Sequence, residues 1–179
     1  MISGTKRIEA QAQEVVRDMK PIAELKRSKR FAAAASNVLA ILQETMGLNT
    51  IFIAVNDQMI NIIIKASNRD EIMIKEGAEL AFEETYCKLV TGNGRFPTII
   101  PDTGSDPLTG VLNVTSVLGS CSFVGIPLSV GENGPAVGTI CAMDRRAGAV
   151  KDKDIQMLQQ AGELLSRLIE YELNGQPEI

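Results

Sequence analysis

The chain has 179 residues, 45% of them apolar and 22% charged, with a net charge of −4 and a pI near 5.0. This is ordinary globular composition for one domain; it excludes disordered and fibrous classes, and the acidic balance argues against a nucleic-acid partner, which needs a basic face. There is no histidine, so Ser-His and Cys-His catalysis and histidine-ligated zinc or haem are excluded as well.

Residues 5–20 read as a helix, with Ile8, Ala12, Val15, Met19 and Ile22 recurring at helical spacing and Pro21 as a break. A second helical stretch spans about 22–46 and stops at Gly47, with Phe31, Ala35, Val38 and Leu42 as its apolar stripe. The period then changes. The β-branched runs 50–56 and 59–67, separated by Asp57-Gln58, read as a hairpin. Residues 78–91 read as a helix ended by Gly92-Asn93-Gly94, 97–102 as a short strand, and 102–110 as a turn-rich loop. A short helix falls near 111–118. Strands 120–130 and 136–144 form a second hairpin, and Asp152 caps a last helix over 153–173. Hairpins bracket a helical middle and long helices sit at the ends, which predicts α+β with one antiparallel sheet of five or six strands.

Several motifs follow one another in the second half of the chain. They are Glu84-Thr85-Tyr86-Cys87, then Ile99-Ile100-Pro101-Asp102-Thr103 with Asp106-Pro107, then Phe123-Val124-Gly125-Ile126-Pro127-Leu128. Val137-Gly138-Thr139-Ile140-Cys141-Ala142-Met143-Asp144 and a helix ending Leu168-Ile169-Glu170-Tyr171-Glu172 complete the series. In this order they resemble a GAF domain, the sensory relative of the PAS fold. The resemblance implies a six-stranded antiparallel sheet with long N- and C-terminal helices on one face and a ligand cavity on the other. It divides the chain into an N-terminal signalling helix (1–21), the GAF domain (22–173) and a tail (174–179).

Family members bind cyclic nucleotides, bilins, haem or amino acids, and fold alone does not select among them. Bilin attachment in the family usually involves a Cys-His pair, and this chain has no histidine. The Asn-Lys-Phe-Asp-Glu set of cyclic-nucleotide members is absent. Where many relatives carry arginines for an anionic ligand, this sequence has Leu108 and Cys121-Ser122-Phe123. The expected cavity lies between the sheet and the 78–118 segment, lined by some of Tyr86, Asp102, Thr103, Ser122, Phe123, Thr139 and Cys141.

Each candidate also has a structural reading. Alternation places Val137, Thr139, Cys141 and Met143 on one strand face, where cysteine packs as a small hydrophobe. Cys87 sits in mid-helix, and Cys121, opening a strand beside a loop, is the cysteine expected to be exposed. Asp102, Thr103, Ser105 and Asp106 make good turns, Asp144 reads as an ion pair or cap, and Lys26-Arg27-Ser28-Lys29-Arg30 as a solvated helix face.

One GAF subfamily reduces free methionine sulfoxide with an attacking and a resolving thiol. The three cysteines here lie on separate elements and away from that subfamily's positions. With no C-x-x-C among them, they read as reduced cytosolic thiols. The N-terminus has no apolar core of a signal peptide, and no apolar run is long enough to span a bilayer.

The expectation is therefore a non-catalytic sensory module of a cytoplasmic bacterial signalling protein, with no metal, no assigned cofactor and no membrane or nucleic-acid partner. It would bind an unidentified small molecule and relay through its terminal helices to an effector domain or partner protein. The alternatives are a thiol redox enzyme and a ligand-free dimerisation scaffold whose cavity is filled by side chains such as Phe123 and Met143. The last helix carries two interleaved stripes, Ile155, Leu158, Gly162, Leu165, Ile169 and Met157, Ala161, Leu164, Leu168, Tyr171. A second stripe needs a second partner, which predicts a twofold homodimer through a helical bundle.

Overall fold

The computed structural model describes residues 22–175. The helix expected at 5–20, the break at Pro21 and the tail 176–179 lie outside the described residues. In place of one helix to residue 46, the chain is helical over 22–27 and resumes as α1 (Lys29–Thr45). The break falls at Ser28, whose Oγ accepts from Phe31 N at 3.0 Å and starts the new helix. Helix α1 ends at Met46, in extended conformation, one residue before the expected glycine stop.

Strands β1 (Thr50–Asn56) and β2 (Ile60–Asn68) form the expected hairpin. Asp57 makes its turn: Oδ1 accepts from Met59 N at 2.9 Å and Ile60 N at 2.7 Å. Residues 78–91 are not one helix. They form β3 (Glu79–Ala81), a 3-10 turn (Phe82–Glu84) and α2 (Tyr86–Gly92). The free edge of β2 captures Glu79–Ala81 through Ile60, Asn61 and Ile62, so sheet pairing overrides the local helical preference. Then come β4 (Thr98–Ile100), α3 (Asn113–Leu118), β5 (Ser122–Ser129), β6 (Ala136–Asp144) and α4 (Asp152–Asn174). Helix α4 starts one residue early, with the Asp154 carboxylate accepting from Lys151 N at 2.9 Å.

The six strands form one antiparallel sheet in the order β3-β2-β1-β6-β5-β4. The α+β fold and its six-stranded sheet are as expected. One face carries Ile51, Ile53 and Val55 of β1, Val124, Ile126 and Leu128 of β5, and Ile140 and Ala142 of β6. Against it pack Phe31, Ala35, Leu39 and Leu42 of α1 and Leu158, Ala161, Leu165 and Ile169 of α4. The other face carries Phe52, Ala54, Ile63, Phe123, Cys141 and Met143, covered by α2 and the segments around it.

A bulge between Leu128 and Ser129 in the β5–β6 ladder corrects one face assignment. It displaces Val137 from the alternation, so Val137 joins the helix-side core while Cys141 and Met143 face α2.

Two glycines of the motif series owe their identity to close approach. A Cβ on Gly125 would stand 2.4 Å from Val90 Cγ2 of α2, and one on Gly138 would stand 2.4 Å from the Ala54 carbonyl oxygen of β1. The first lets α2 lie on the sheet, and the second lets β6 pair closely with β1.

Candidate functional site: a narrow space under the 102–119 segment

The loop after β4 and helix α3 fold over the sheet beside α2. Three threonines at six-residue spacing hold this cover in place. Thr109 Oγ1 donates to the Thr103 carbonyl at 2.7 Å, and Thr115 Oγ1 donates to the Thr109 carbonyl at 2.6 Å. All three are buried. Thr103 also exchanges backbone contacts with Cys121: its N–H donates to the Cys121 carbonyl at 2.8 Å, and its Oγ1 accepts from Cys121 N at 3.0 Å.

Arg145 ties the cover to the far side of the chamber. It donates to both Glu71 carboxylate oxygens, at 2.7 Å for the closest pair, and to the Leu118 carbonyl. That hydrogen-bonded pair holds the Glu71 carboxyl below its ordinary value, against the smaller upward effect of desolvation.

The space under this cover is nearly full. The remaining void measures about 20 Å³ and is lined by Phe52, Asn61, Ile63, Ile74, Leu80, Thr85, Tyr86, Cys87, Val114, Leu118 and Met143. That volume admits a water-sized molecule and no metabolite. Two larger hollows are open surface grooves. One, of about 330 Å³, lies on the helix side between β5 and α4 with Arg95, Glu163, Arg167 and Glu170 on its walls. The other, of about 660 Å³, lies beside β4.

Of the seven residues expected to line a cavity, Tyr86 alone reaches the void. Its ring meets Phe123 edge-on, with centroids 5.1 Å apart, and Phe123 fills the space behind it. Burial pushes the Tyr86 phenol up from its ordinary value. Thr139 and Cys141 lie under α2, with Thr139 Oγ1 bonded to the Cys87 sulfur. Thr103 is buried within the cover. Asp102 stays at its rim, accepting from Gly104 N, Ser105 Oγ and Ser120 Oγ, and these bonds hold its carboxyl low, led by the one from Ser120. Alternation sends Ser122 to the opposite face from Phe123, where its hydroxyl meets the Asp144 carbonyl at 3.4 Å. Of the other lining residues, Phe52, Asn61, Ile63, Ile74 and Leu80 come from β1, β2, β3 and the segment before β3, and Val114 and Leu118 from α3, none of which the motifs cover, whereas Thr85, Cys87 and Met143 stand within the motifs.

One cysteine expectation is corrected. Cys121 is not exposed: 1% of its surface is accessible, because the Thr103 loop closes over it, and burial pushes its thiol up. Cys87 lies against the sheet, where its sulfur accepts from Thr139 Oγ1 at 3.2 Å and from Asn61 Nδ2 at 3.5 Å. All three thiols are free and buried.

Asp144 is a structural ion pair, as its sequence context implies. It accepts from Arg146 N and Nε, each at 2.9 Å, and from Asn49 N at 3.1 Å. Burial raises its carboxyl, but these bonds outweigh burial and hold it below its ordinary value. The basic cluster is likewise a solvated face, with Lys26 paired to Glu79 at 3.1 Å and Arg30 to Glu172 at 3.6 Å. Among the described residues, no group of three or more Cys, Asp or Glu is placed to hold a metal ion, and no helix is long and apolar enough to cross a membrane.

The family model of the GAF domain matches residues 30–169. The chain belongs to the GAF family. No curated protein sequence matches it. Among solved structures, a far-red cyanobacteriochrome photoreceptor is similar at 18% identity and a TM-score of 0.60, covering 92% of this chain and 98% of its own. The blue-light absorbing form of the Thermosynechococcus elongatus PixJ GAF domain aligns at 14% identity and a TM-score of 0.65, covering 83% and 88%. The free methionine-R-sulfoxide reductase of Neisseria meningitidis, solved with its substrate, aligns at 14% identity and a TM-score of 0.63, covering 88% and 87%. These likenesses show the GAF fold in photoreceptors and in an enzyme alike.

Proposed function

We propose that this GAF domain is a non-catalytic regulatory module of a signal-transduction protein, working as a ligand-free relay between its helices and a partner. The observation that carries this reading is the small volume left beside Tyr86, about 20 Å³, under a cover held by the threonine bonds and Arg145. A domain built to hold a bilin or nucleotide in this conformation needs several hundred cubic ångströms. A small-molecule ligand would enter only through a second conformation with the cover lifted, a population shift against the bonds that close it. The absence of histidine and the burial of all three thiols support the non-catalytic part of the reading.

Native mass spectrometry of the purified chain tests the proposal. The expected spectrum shows the bare polypeptide, and its thermal midpoint does not move on adding nucleotides, amino acids or tetrapyrroles. A retained small molecule, or a midpoint raised by one of these compounds, overturns the ligand-free reading and restores the sensory one.

A further inference from the structure

A relay between helices needs an element with two arrangements. The residue pattern of 22–46 reads as a single helix, yet the chain breaks at one residue, Ser28. Ser28 N–H closes the 22–27 helix on the Glu24 and Leu25 carbonyls, at 3.0 and 3.3 Å. Its own carbonyl opens α1 by accepting from Ala32 N at 3.0 Å. The φ of Ser28, −71°, is already helical; only its ψ, 107°, departs from the helical value of about −42°. Rotation about that one bond restores a continuous helix.

The last turn of α4 fixes the bend. Glu172 Oε2 accepts from Ser28 Oγ at 2.7 Å, while that Oγ accepts from Phe31 N at 3.0 Å. Glu172 Oε1, buried and without a hydrogen bond, stands 3.6 Å from Arg30 Nη1. The Arg30 guanidinium lies 5.4 Å from the centre of the Tyr171 ring. A carboxylate thus meets the start of α1, where the helix dipole favours it. With α1 held in the core, rotation about ψ carries the Ser28 side chain away with the 22–27 helix. The bond to Glu172 therefore belongs to the bent form.

We propose that Ser28 is a one-residue hinge and Glu172 its latch, so that displacement of the last turn of α4 releases the 22–27 helix to straighten into α1. This deepens the relay reading and rests on it. In the straight form the N–H groups of Lys29, Arg30 and Phe31 gain the carbonyls of Leu25, Lys26 and Arg27. Against that, Ile22 and Leu25, 8% and 1% exposed, leave the helix-side core. Three backbone bonds and two buried apolar side chains are contributions of similar size, so one further bond to a charged group tips the balance.

Spin labels on Ala23→Cys and Glu163→Cys in the full-length chain read the hinge as a distance; the native thiols are buried, and a chain without the two new cysteines checks that they stay unlabelled. The wild type should show one dominant distance. Ser28→Ala and Glu172→Ala should each add a second, the ratio of the two forms shifting by about tenfold, with no loss of helical circular dichroism. Ser28→Asp, which can still cap α1 but sets a like charge on Glu172, should do the same. Glu172→Gln, still able to accept from Ser28, should stay within about threefold of the wild type. One unchanged distance in every variant, equal release by Glu172→Gln and Glu172→Ala, or a second distance accompanied by lost helicity overturns the hinge. If Glu172→Ala does not fold, the two Ser28 variants decide. No ligand takes part, so failure here leaves the ligand-free reading to its own mass spectrum.

Discussion

The Tyr86 hydroxyl donates to Thr115 Oγ1 at 2.6 Å, because the Thr115 proton is already directed at the Thr109 carbonyl. One side chain thereby fills the chamber and fastens its cover. Tyr86→Phe keeps the filling and loses the bond, leaving Thr115 Oγ1 without its donor; about 1 kcal/mol of stability should go with it. Tyr86→Ala also removes the ring and should cost about 3–5 kcal/mol. It should open a chamber that binds an apolar fluorescent probe, where the wild type binds none. Equal probe binding by wild type and Tyr86→Ala would show that the wild-type chamber already opens in solution.

The two motif glycines should respond unequally to alanine. At Gly125 the obstructing atom is Val90 Cγ2, a side-chain methyl that can rotate or shift, so Gly125→Ala should cost about 1–3 kcal/mol. At Gly138 it is the Ala54 carbonyl oxygen in the neighbouring strand, which cannot move without disturbing the ladder. Gly138→Ala should therefore cost about 3 kcal/mol or more, or prevent folding. Urea denaturation of both variants checks the order, and the reverse order would mean that β1 and β6 are looser than their register implies.

Much of this was legible in the sequence, for reasons that differ from element to element. The hairpins 50–68 and 122–144 announce themselves by β-branched runs about turn residues. Gly125 and Gly138 were visible as motif positions, and their clashes explain why. Strand β3 was not legible, since Glu79–Ala81 is short, exposed and held only by the edge of β2. Cys121 looked exposed because its burial depends on Thr103, eighteen residues earlier, folding back over it. The bond from Thr139 to the Cys87 sulfur arises from packing of a helix on a strand, which no spacing encodes. Val137 changed face through a single bulge.

Asp144 gives a pH dependence with a definite sign. Its carboxyl is held below the ordinary range in the folded chain, so its ionised form adds stability above the unfolded value, near pH 4. That contribution is lost as pH falls through the lower folded value. Asp144→Asn sets an amide N–H₂ against the donors on Arg146 and Asn49. It should lower stability by about 2 kcal/mol at neutral pH, and the difference from wild type should shrink as pH falls below the ordinary carboxylate value of about 4. Urea midpoints measured from pH 7 down to pH 3 check this. A difference independent of pH would mean that packing, and not charge, is what Asp144 supplies.

The cysteines should not turn over free methionine sulfoxide. Burial raises Cys121, the thiol placed nearest the rim, and it has no partner sulfur; Cys87 and Cys141 lie beneath a space too small for that substrate. An assay coupling sulfoxide loss to dithiothreitol consumption should read at background. Thiol-dependent turnover that disappears in Cys121→Ser would overturn the non-catalytic reading.

The homodimer rests on what α4 leaves uncovered. Its first stripe is satisfied within the fold: Leu158, Gly162, Leu165 and Ile169 are buried, and Gly162 sits 3.0 Å from Ile126 Cγ2 where its Cβ would be. The second stripe is only partly satisfied. Ala161 is buried, Met157 and Leu168 are half-buried against the helix-side core, and Leu164 is 66% exposed. On α1, Ile41 is 63% exposed. Helix α1 thus takes up part of the partner role that the sequence assigned to a second copy, and among the described residues a narrower seam centred on Leu164 remains. A dimer through this seam should be modest in affinity, since one exposed leucine with half-buried flanks offers a small apolar area. Sedimentation over micromolar to hundred-micromolar concentrations should show a monomer–dimer equilibrium. Leu164→Glu with Leu168→Glu should abolish the dimer by placing like charges on both copies across the twofold axis. A 19.3 kDa monomer at every concentration, or a dimer that survives the double substitution, would show that α4 does not form the interface.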